Sequence, residues 1–339
     1  METLNTNQNS ISSSPVVPVP QAKIFYNHKN ITDYISPDVL SVSYTDNEHG
    51  QSDEIDIKIQ DKDHLWKSNW YPTKGDTVNI SVGYEGQTLI DGGAFEIDEL
   101  EISGPPDTMN IRGVSAHIKK PLRQKNSVAH ENTSLKQIAD KIAKKHGYTV
   151  VGNIKDVKIK RQTQNKKRDL TFLKELAESY GYIFKITGNK LVFFEIEELH
   201  NASSIITIDR SDISSFTFTD KTIGTYGACE VSYFDPKTKK LITYTEKRKD
   251  SKSEDTLKLN VRCENKQQAI LKAKAGLAGK VKEVDGNISL MGNSKLVAGS
   301  NFDLTGFYKF SGKYYIKTAK HSIDKSSGYK TELEVYKIA

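Results

Sequence analysis

The chain is poor in the residues that build disulfide frameworks and zinc sites. Its 339 residues include two cysteines, Cys229 and Cys263, which form no CxxC pair, so neither a disulfide framework nor a zinc site is supported. We expect both to be buried free thiols on strands. The eight histidines contain no HxH or HExxH pattern, which removes the common helical metal motifs. The sequence therefore predicts no metal site and no cofactor.

Long apolar runs and targeting signals are also missing. No stretch approaches the roughly 18 apolar residues that indicate a membrane-spanning helix, so stable membrane insertion is not expected. The opening residues, Met1 to Asn5, lack the basic and apolar regions of a secretory signal. We therefore predict a chain without a signal peptide.

No set of residues has the spacing of a catalytic site. Asp56 alternates with Ile55 and Ile57, so it points outward from a strand and no second carboxylate has to face it, as glycoside hydrolysis requires. The acidic run at 61–63 lacks the glycine and distal glutamate of a calcium loop. The glycine pair at 83–86 has no helix behind it to hold a phosphate. We predict no catalytic residues and no enzyme activity.

Composition favours several small cores over one large one. Hydrophobic residues make up 36% of the chain and charged residues 27%, which fits folded soluble modules with lean interiors. A length of 339 residues allows two or three domains of ordinary size. A partner surface is expected to cover part of these small cores.

Positive charge is concentrated in the middle of the chain. The net charge is +6, but residues 136–168 contain eleven Lys or Arg against Asp140 and Asp156, a local excess of +9. One interpretation is a binding patch for nucleic acid, lipid headgroups or an acidic partner. The other is a solvated, lysine-rich face on short helices, and we favour it, so nucleic acid is not an expected partner.

The first two segments are an extended arm and a strand-rich region. Residues 1–22 are rich in Asn, Ser and Pro and end in Pro15-Val16-Val17-Pro18-Val19-Pro20. This composition predicts a polyproline-like arm that either docks on a neighbour or stays loose. Residues 23–122 contain alternating strands separated by turn residues, and we predict that they form a first small antiparallel β-barrel.

The apolar pattern slips within one strand of this region. Phe95 and Ile97 share one parity, whereas Leu100 and Ile102 share the other. Such a one-residue insertion indicates a β-bulge, which barrels use to turn a corner. A turn is predicted after it, at 104–107.

Residues 123–203 change to a helical period and predict a small α/β domain. A first helix carries Leu135, Ile138 and Ile142, with Ser134 and its neighbours as cap and Gly147 at its end. A second helix is predicted from Asp169, as its N-cap, to Gly181. Each helix is followed by glycine, an aromatic residue and a strand. His130 and His146 flank the first helix, and we expect both to serve as helix caps or to lie on the surface.

Residues 204–339 return to strands and predict a second small antiparallel β-barrel with one helix. We expect strands at 215–219, 228–234 and 241–244, and then a helix from Lys266 to about Lys280. Further strands are expected at 302–310, 313–320 and 331–338. Turns are predicted at Asp235-Pro236 and at 326–328. The predicted class is thus α+β, mostly β, with two barrels flanking an α/β domain.

Four aromatic side chains are the candidate assembly contacts. They belong to the first predicted barrel, where both tryptophans of the chain lie four residues apart. Aromatic residues are enriched at the centres of protein interfaces, although core packing is the more common use of such a pair. The candidates are Trp66, Trp70, Tyr84 and Phe95.

The order of several motifs resembles the phage late control D family, the baseplate hub of contractile tails. The likeness covers nearly the whole chain after the arm. The motifs are Ser43-Tyr44-Thr45-Asp46, Ser52-Asp53-Glu54, Trp70-Tyr71-Pro72, Gly93-Ala94-Phe95-Glu96-Ile97-Asp98-Glu99, Ile111-Arg112-Gly113, Phe172-Leu173-Lys174-Glu175-Leu176-Ala177, Tyr233-Phe234-Asp235-Pro236 and Leu296-Val297-Ala298-Gly299.

The resemblance implies a structural protein that assembles into a homotrimer with two similar barrels per subunit. Such hubs are similar to the amino-terminal part of type VI secretion VgrG spike proteins. A trimeric hub would join the sixfold tail tube to the threefold membrane-piercing spike, so the implied partners are the spike, the tube and other baseplate proteins. It would be made in the bacterial cytoplasm and assembled into a virion tail or an injection particle. The family offers no catalytic residue to carry over.

One alternative to the hub stays open. The basic residues 136–168 could form a binding module for nucleic acid or cell-wall glycan. The lysine-rich part of this stretch, from residue 155, and the Pro-rich arm have no counterpart in the motifs above. The sequence does not distinguish a phage from a bacteriocin or an injection device.

Overall fold

A computed structural model describes residues 17–48, 51–115, 124–221, 225–235, 238–248, 253–279 and 283–338. Most of the predicted arm, residues 1–16, lies outside this set. Pro236 of the predicted turn at 235–236 and Lys280, the expected end of the last helix, also lie outside it.

Strands are the main elements of the described residues. In chain order they are β1 (Pro20–Tyr26), β2 (Lys29–Asn30), β3 (Val39–Asn47), β4 (Glu54–Gln60), β5 (Thr77–Tyr84), β6 (Ile90–Ser103), β7 (Thr108–Ser115), β8 (Lys125–Ser134), β9 (Thr149–Val151), β10 (Lys158–Arg168), β11 (Tyr182–Thr187), β12 (Lys190–Glu195), β13 (Thr207–Ile208), β14 (Ile213–Asp220), β15 (Ala228–Asp235), β16 (Lys240–Lys247), β17 (Thr256–Leu259), β18 (Val284–Met291), β19 (Asn301–Leu304), β20 (Gly312–Asp324) and β21 (Gly328–Lys337).

Five α-helices interrupt these strands: α1 (Thr32–Ile35), α2 (Leu135–His146), α3 (Asp169–Ser179), α4 (Ile196–Asn201) and α5 (Lys266–Ala278). Two short 3-10 helices, Arg210–Asp212 and Tyr308–Phe310, complete the set of described helices. The predicted class, α+β and mostly β, is confirmed.

One large sheet contains thirteen of the strands and includes both ends of the described chain. Its main path runs β14-β18-β21-β20-β3-β4-β7-β6-β5-β1-β2, and β19 joins it through β20. The junction between the two halves is the antiparallel pair β3 and β20, with Thr318 opposite Asn47 and Asp324 opposite Ser41. The division into three domains and the closure of two barrels stay predictions.

Alternation explains how this sheet builds its core. In β4, Ile55, Ile57 and Ile59 are buried, whereas Glu54 and Lys58 are exposed. The period of two that places one face of a strand inward is therefore realised as predicted. Isoleucine is suited to this position because its branched side chain packs well on a pleated surface.

The predicted β-bulge is confirmed in β6. The register of β6 against β7 shifts between Ile97 and Glu99, where the apolar parity of the sequence slips. A turn follows at 104–107 before β7 begins, also as predicted. The turn at 326–328 joins β20 to β21, which confirms the second predicted turn that the structure describes.

The middle segment packs two helices on small sheets, which we call the α/β module (residues 124–203). The Ser134 side chain accepts a hydrogen bond from the backbone of Gln137 and caps α2, and Gly147 ends it in the left-handed conformation. Gly181 follows α3 with the same sign of φ, which glycine adopts without steric cost. The repeated helix, glycine, aromatic and strand unit is confirmed.

Two expectations for this module are wrong. Asp169 is the first residue of α3 and its side chain does not cap the helix; it is buried and bonds to side chains of neighbouring elements. The expected lysine-rich face on short helices is wrong for the second part of residues 136–168, because Lys158–Arg168 forms the strand β10, paired with β8, whereas the first four lysines of that stretch do lie exposed on α2.

The C-terminal segment adds a second small sheet. β15 lies between β16 and β17, and α5 packs on it through Ala269, Ala273 and Leu277. Cys229 and Cys263 are buried free thiols, as predicted, although Cys263 lies in the loop before α5 and not on a strand. The predicted strand 302–310 is shorter, since β19 ends at Leu304 and a 3-10 helix follows.

Candidate assembly surface

A tight turn between β4 and β5 positions both tryptophans. The buried carboxylate of Asp61 accepts hydrogen bonds from the backbone N–H groups of Trp66, at 3.0 Å, and Lys67, at 3.3 Å. The Trp70 N–H donates to the carbonyl of Leu65 at 2.8 Å. Asp61, which belongs to the acidic run without the pattern of a calcium loop, therefore shapes this turn, because a carboxylate satisfies the unpaired donors that a turn leaves.

The two indole rings meet edge to face, with 5.9 Å between their centroids. Trp66 is 9% exposed and packs into the core of the large sheet, whereas Trp70 is 51% exposed. Such an edge-to-face contact contributes about 1 kcal/mol beyond burial. One tryptophan therefore anchors the turn and presents the other to solvent.

An apolar groove lies beside Trp70, between the turn, the end of β1 and α1. Its volume is about 360 Å³. Tyr34 and Tyr71, on its walls, are 80% and 50% exposed. We call it the aromatic groove; its principal lining residues are Tyr26, Ile31, Tyr34, Trp66, Trp70 and Tyr71. Clustered exposed aromatic side chains mark an interaction surface more often than a solvated one.

The structure separates the four candidate contact residues. Trp66 and Phe95 belong to the core beneath the large sheet, and Phe95 is fully buried. Tyr84 is 8% exposed and packs edge to face on Tyr329, at 5.1 Å between centroids. Of the four, Trp70 alone offers a large exposed surface, and it stays the candidate for contact with another protein.

Sequence motifs pointed to part of the rest of the groove. Tyr71 belongs to the Trp70-Tyr71-Pro72 motif quoted for the family resemblance, but Tyr34 was not singled out. It lies on α1, a helix of four residues, which is too short to show a helical period. No pattern rule identifies a single aromatic residue on one helical turn.

A buried ion cluster fixes the α/β module on the large sheet. The Lys185 ammonium, on β11, lies 2.5 Å from an oxygen of Asp46 and 3.0 Å from an oxygen of Asp53. The other oxygen of Asp46 accepts from the backbone of Ala298 at 2.9 Å. We call Asp46, Asp53 and Lys185 the charged seam, because they join the module to both halves of the sheet.

Electrostatics of the charged seam favour the ionised form of Lys185. Burial by itself lowers the pKa of Lys185, but the charges of Asp46 and Asp53 outweigh it, and the net pKa is raised. Burial raises the pKa of Asp53, and the charge of Lys185 opposes that rise. Two acidic groups and one ammonium therefore depend on one another, because each would be costly alone in a dry site.

A second buried polar cluster lies inside the α/β module. His146 Nε2 lies 2.8 Å from a carboxylate oxygen of Asp169, and Gln164 donates to the other oxygen at 2.7 Å. Burial alone would raise the pKa of Asp169, but these hydrogen bonds and those from Lys145 and Asn126 lower it to about 2. His130 is also buried and stacks on a phenylalanine ring, so the predicted surface position is wrong for both histidines.

The acidic residues considered for catalysis have structural partners. Asp56 accepts from Arg112 at 3.1 Å and from Asn110 at 3.0 Å across neighbouring strands.

Burial raises the pKa of the Cys229 thiol to about 11 and raises that of Cys263, so neither is a ready nucleophile. Among the described residues, no group of three or more His, Cys, Asp or Glu side chains could hold a metal ion.

The second part of the basic stretch lies on the exposed strand β10, which pairs with β8. In β10, Lys158, Lys160 and Lys166 are exposed, and Arg161 and Lys167 each lie near a glutamate. Part of the charge is thus carried by a strand on which most residues are exposed to solvent. No helix in the described part of the chain is both long and apolar enough to cross a membrane.

The large sheet ends in strands with one neighbour each on the described path. β14 pairs with β18 alone, and β2 pairs with β1 over two residues. β14 is largely exposed and carries Phe216, 43% exposed, beside the guanidinium of Arg210. An edge strand of this kind presents unpaired backbone groups to another chain.

Two curated phage proteins are similar to this chain. A probable baseplate hub protein of Escherichia phage 186 is 27% identical over 230 residues, which cover 65% of this chain and 58% of the relative. A probable baseplate hub protein of Escherichia phage P2 is 29% identical over 199 residues, covering 57% and 51%. The chain therefore matches just over half the length of these relatives. No protein-family model matches it.

The resemblance to baseplate hub proteins is confirmed.

Solved structures share the fold. A 43 kDa tail protein of prophage MuSo2 from Shewanella oneidensis superposes with a TM-score of 0.71 at 13% identity, over 94% of this chain and 98% of the other. A type VI secretion component of E. coli superposes with a TM-score of 0.57 at 12% identity, over 89% and 74%. The predicted likeness to both groups of proteins therefore extends to the fold.

Proposed function

We propose that this chain is the structural hub of a contractile tail or a tail-like injection particle. The match to two baseplate hub proteins carries the proposal. In this role the chain binds and positions other proteins and performs no reaction. Its site of action is the assembled tail.

Three copies are proposed to form a ring. A ring closes by head-to-tail contacts between two different surfaces of each copy. The large sheet supports this arrangement, because β14 lies at one end and β1 and β2 lie at the other. With two strand-rich halves per copy, three copies would present six similar faces to a sixfold tube and three to a threefold spike.

In the proposed ring, the charged seam would transmit force between the α/β module and the large sheet. Asp46 on β3 contacts Lys185 of the module and Ala298 of the C-terminal half. All three parts of the copy are therefore held in one orientation at one point. A subunit that joins a tube to a spike needs such fixed geometry, since both neighbours dock on it simultaneously.

The native mass of the purified full chain tests the proposal. One copy has a mass of 38.0 kDa. Light scattering should give three times this value, either alone or after co-expression with the spike protein from the same gene cluster. A chain that stays at the mass of one copy in both preparations would overturn the ring.

A further inference from the structure

The aromatic groove and the Pro-rich arm have matching chemistry. Pro15-Val16-Val17-Pro18 has prolines three residues apart, and a polyproline helix repeats every three residues, so both prolines lie on one face. Recognition of such segments uses grooves lined by tryptophan and tyrosine, because flat rings pack on the preformed apolar ridge. The aromatic groove supplies Trp70, Tyr34 and Tyr71 for this purpose.

The arm cannot reach the groove of its own copy with its Pro-Val segment. The carbonyl of Val19 accepts from the backbone of Glu85 at 2.8 Å, so the chain is fixed to the sheet at that point. The groove lies at the opposite end of β1, beside Tyr26, about 23 Å away at ~3.3 Å per residue. From Val19 back to Pro15 an extended chain spans at most about 14 Å.

The described residues of the arm just before β1 keep their valine side chains in solvent. Val17 is 78% exposed and Val19 is 54% exposed, although both are aliphatic. Exposed valines next to prolines are stabilised by burial, because covering an aliphatic side chain removes apolar surface from water. A copy therefore has an unpartnered apolar segment at one end of β1 and an unpartnered apolar groove at the other.

We propose that the Pro-Val segment of one copy, residues 15–19, binds in the aromatic groove of a neighbouring copy. The inference rests on the ring proposed above, since a neighbour must supply the groove. Each copy donates one arm and accepts one, which makes the contact heterologous and able to close a ring. The arm thereby tethers copies that also meet through their sheets.

Mixed disulfide formation tests the exchange. One full-length chain carries Val17→Cys, and a second carries Asn69→Cys, an exposed residue on the groove wall. Mixed under mild oxidation, the two should give a cross-linked pair that contains one chain of each kind. The native thiols are buried, and the wild-type chain should give no cross-link.

Two matched variants separate docking from chance collision. Leu241→Cys replaces Asn69→Cys at a 71% exposed position on the other small sheet, and its cross-link with Val17→Cys should be at least about tenfold weaker. Adding Trp70→Ala to the Asn69→Cys chain should also lower the yield at least about tenfold. Tyr308→Ala, at a 96% exposed residue elsewhere, should leave the yield unchanged.

The outcomes distinguish arm exchange from the ring. Absence of the mixed cross-link in a chain with threefold mass overturns the exchange and leaves the ring. A chain that keeps single-copy mass overturns the ring and with it the exchange, because any mixed cross-link would then come from chance collision. A cross-link within one chain carrying both Val17→Cys and Asn69→Cys, at a yield that dilution does not change, overturns the exchange.

Discussion

The charged seam is closed, whereas the aromatic groove is open. At the charged seam, the side chains of Asp46 and Lys185 are 9% and 20% exposed and satisfy each other. In the groove, Trp70 and Tyr34 are half or more exposed and touch little of their own copy. The seam therefore holds one copy together, and the groove leaves apolar surface in solvent, where we propose that another copy binds. Substitutions at the two places should separate stability from assembly.

Loss of the ammonium in the charged seam should have the largest effect. Lys185→Ala leaves Asp46 and Asp53 facing each other in a buried site, and removal of one partner of a buried pair costs roughly 3 to 5 kcal/mol. Urea unfolding should show a much lower midpoint. Lys174→Ala removes an exposed pair four residues apart on a helix and should cost about 0.5 kcal/mol. If Lys185→Ala and Lys174→Ala lowered the free energy of unfolding equally, the contrast between the buried charged seam and the exposed surface would be contradicted.

A histidine beside the seam should make the large sheet sensitive to acid. His321 is fully buried; its Nε2 donates to the carbonyl of Leu296, and its Nδ1 lies 2.9 Å from the Tyr329 hydroxyl. Burial lowers the pKa of His321 to about 4, although the charge of Asp46 opposes the shift. In the unfolded chain, His321 binds a proton below about pH 6.5. In the folded chain, it binds this proton only below about pH 4.

Stability should therefore fall as pH decreases from about 6.5 to 4, by roughly 3 kcal/mol for this group. The free energy of unfolding, measured by urea titration at each pH, reports the loss. His321→Gln keeps a donor and an acceptor without a titrating group, so it should remove most of this slope while other groups keep theirs. An unchanged slope in this variant would show that other groups cause the acid sensitivity.

Truncation of the exposed tryptophan should have the smallest effect on stability. Trp70→Ala loses an edge-to-face contact worth about 1 kcal/mol, whereas Trp66→Ala, four residues away, opens the core and should cost roughly 3 to 5 kcal/mol. Light scattering should show that Trp70→Ala weakens the assembly of copies while the melting temperature barely changes. A large loss of stability in Trp70→Ala would show that Trp70 stabilises the core in the way that Trp66 does, which would contradict its role as an exposed contact residue.

Local sequence rules predicted strands of the large sheet and a helix of the α/β module. Alternation of Ile55, Ile57 and Ile59 gave a half-buried strand, the parity slip after Ile97 gave a bulge, and Ser134 gave a helix start. Each of these depends on residues that are close together in the chain. Such local signals predict the folded structure correctly because residues close together in the chain set the backbone geometry between themselves.

Contacts between distant residues could not be predicted in this way. Lys185 and Asp46 are 139 residues apart, and neither lies in a motif that requires the other. Asp169 has the sequence position of a helix cap, but its carboxylate bonds to the buried side chains of His146 and Gln164 on other elements. The pairing of β3 with β20 and the exposure of Trp70 against Trp66 likewise follow from tertiary packing, which overrides local propensity.

The β3–β20 junction gives the subunit a mechanical property. Seven residue pairs along the two strands, from Thr318 with Asn47 to Asp324 with Ser41, join the two halves of the sheet. Because hydrogen bonds in an antiparallel pair run across the strands, a force along the strand axis loads all of them in shear at once. The halves of one copy should therefore resist sliding past each other when a force acts along these strands, as it would in the proposed tail.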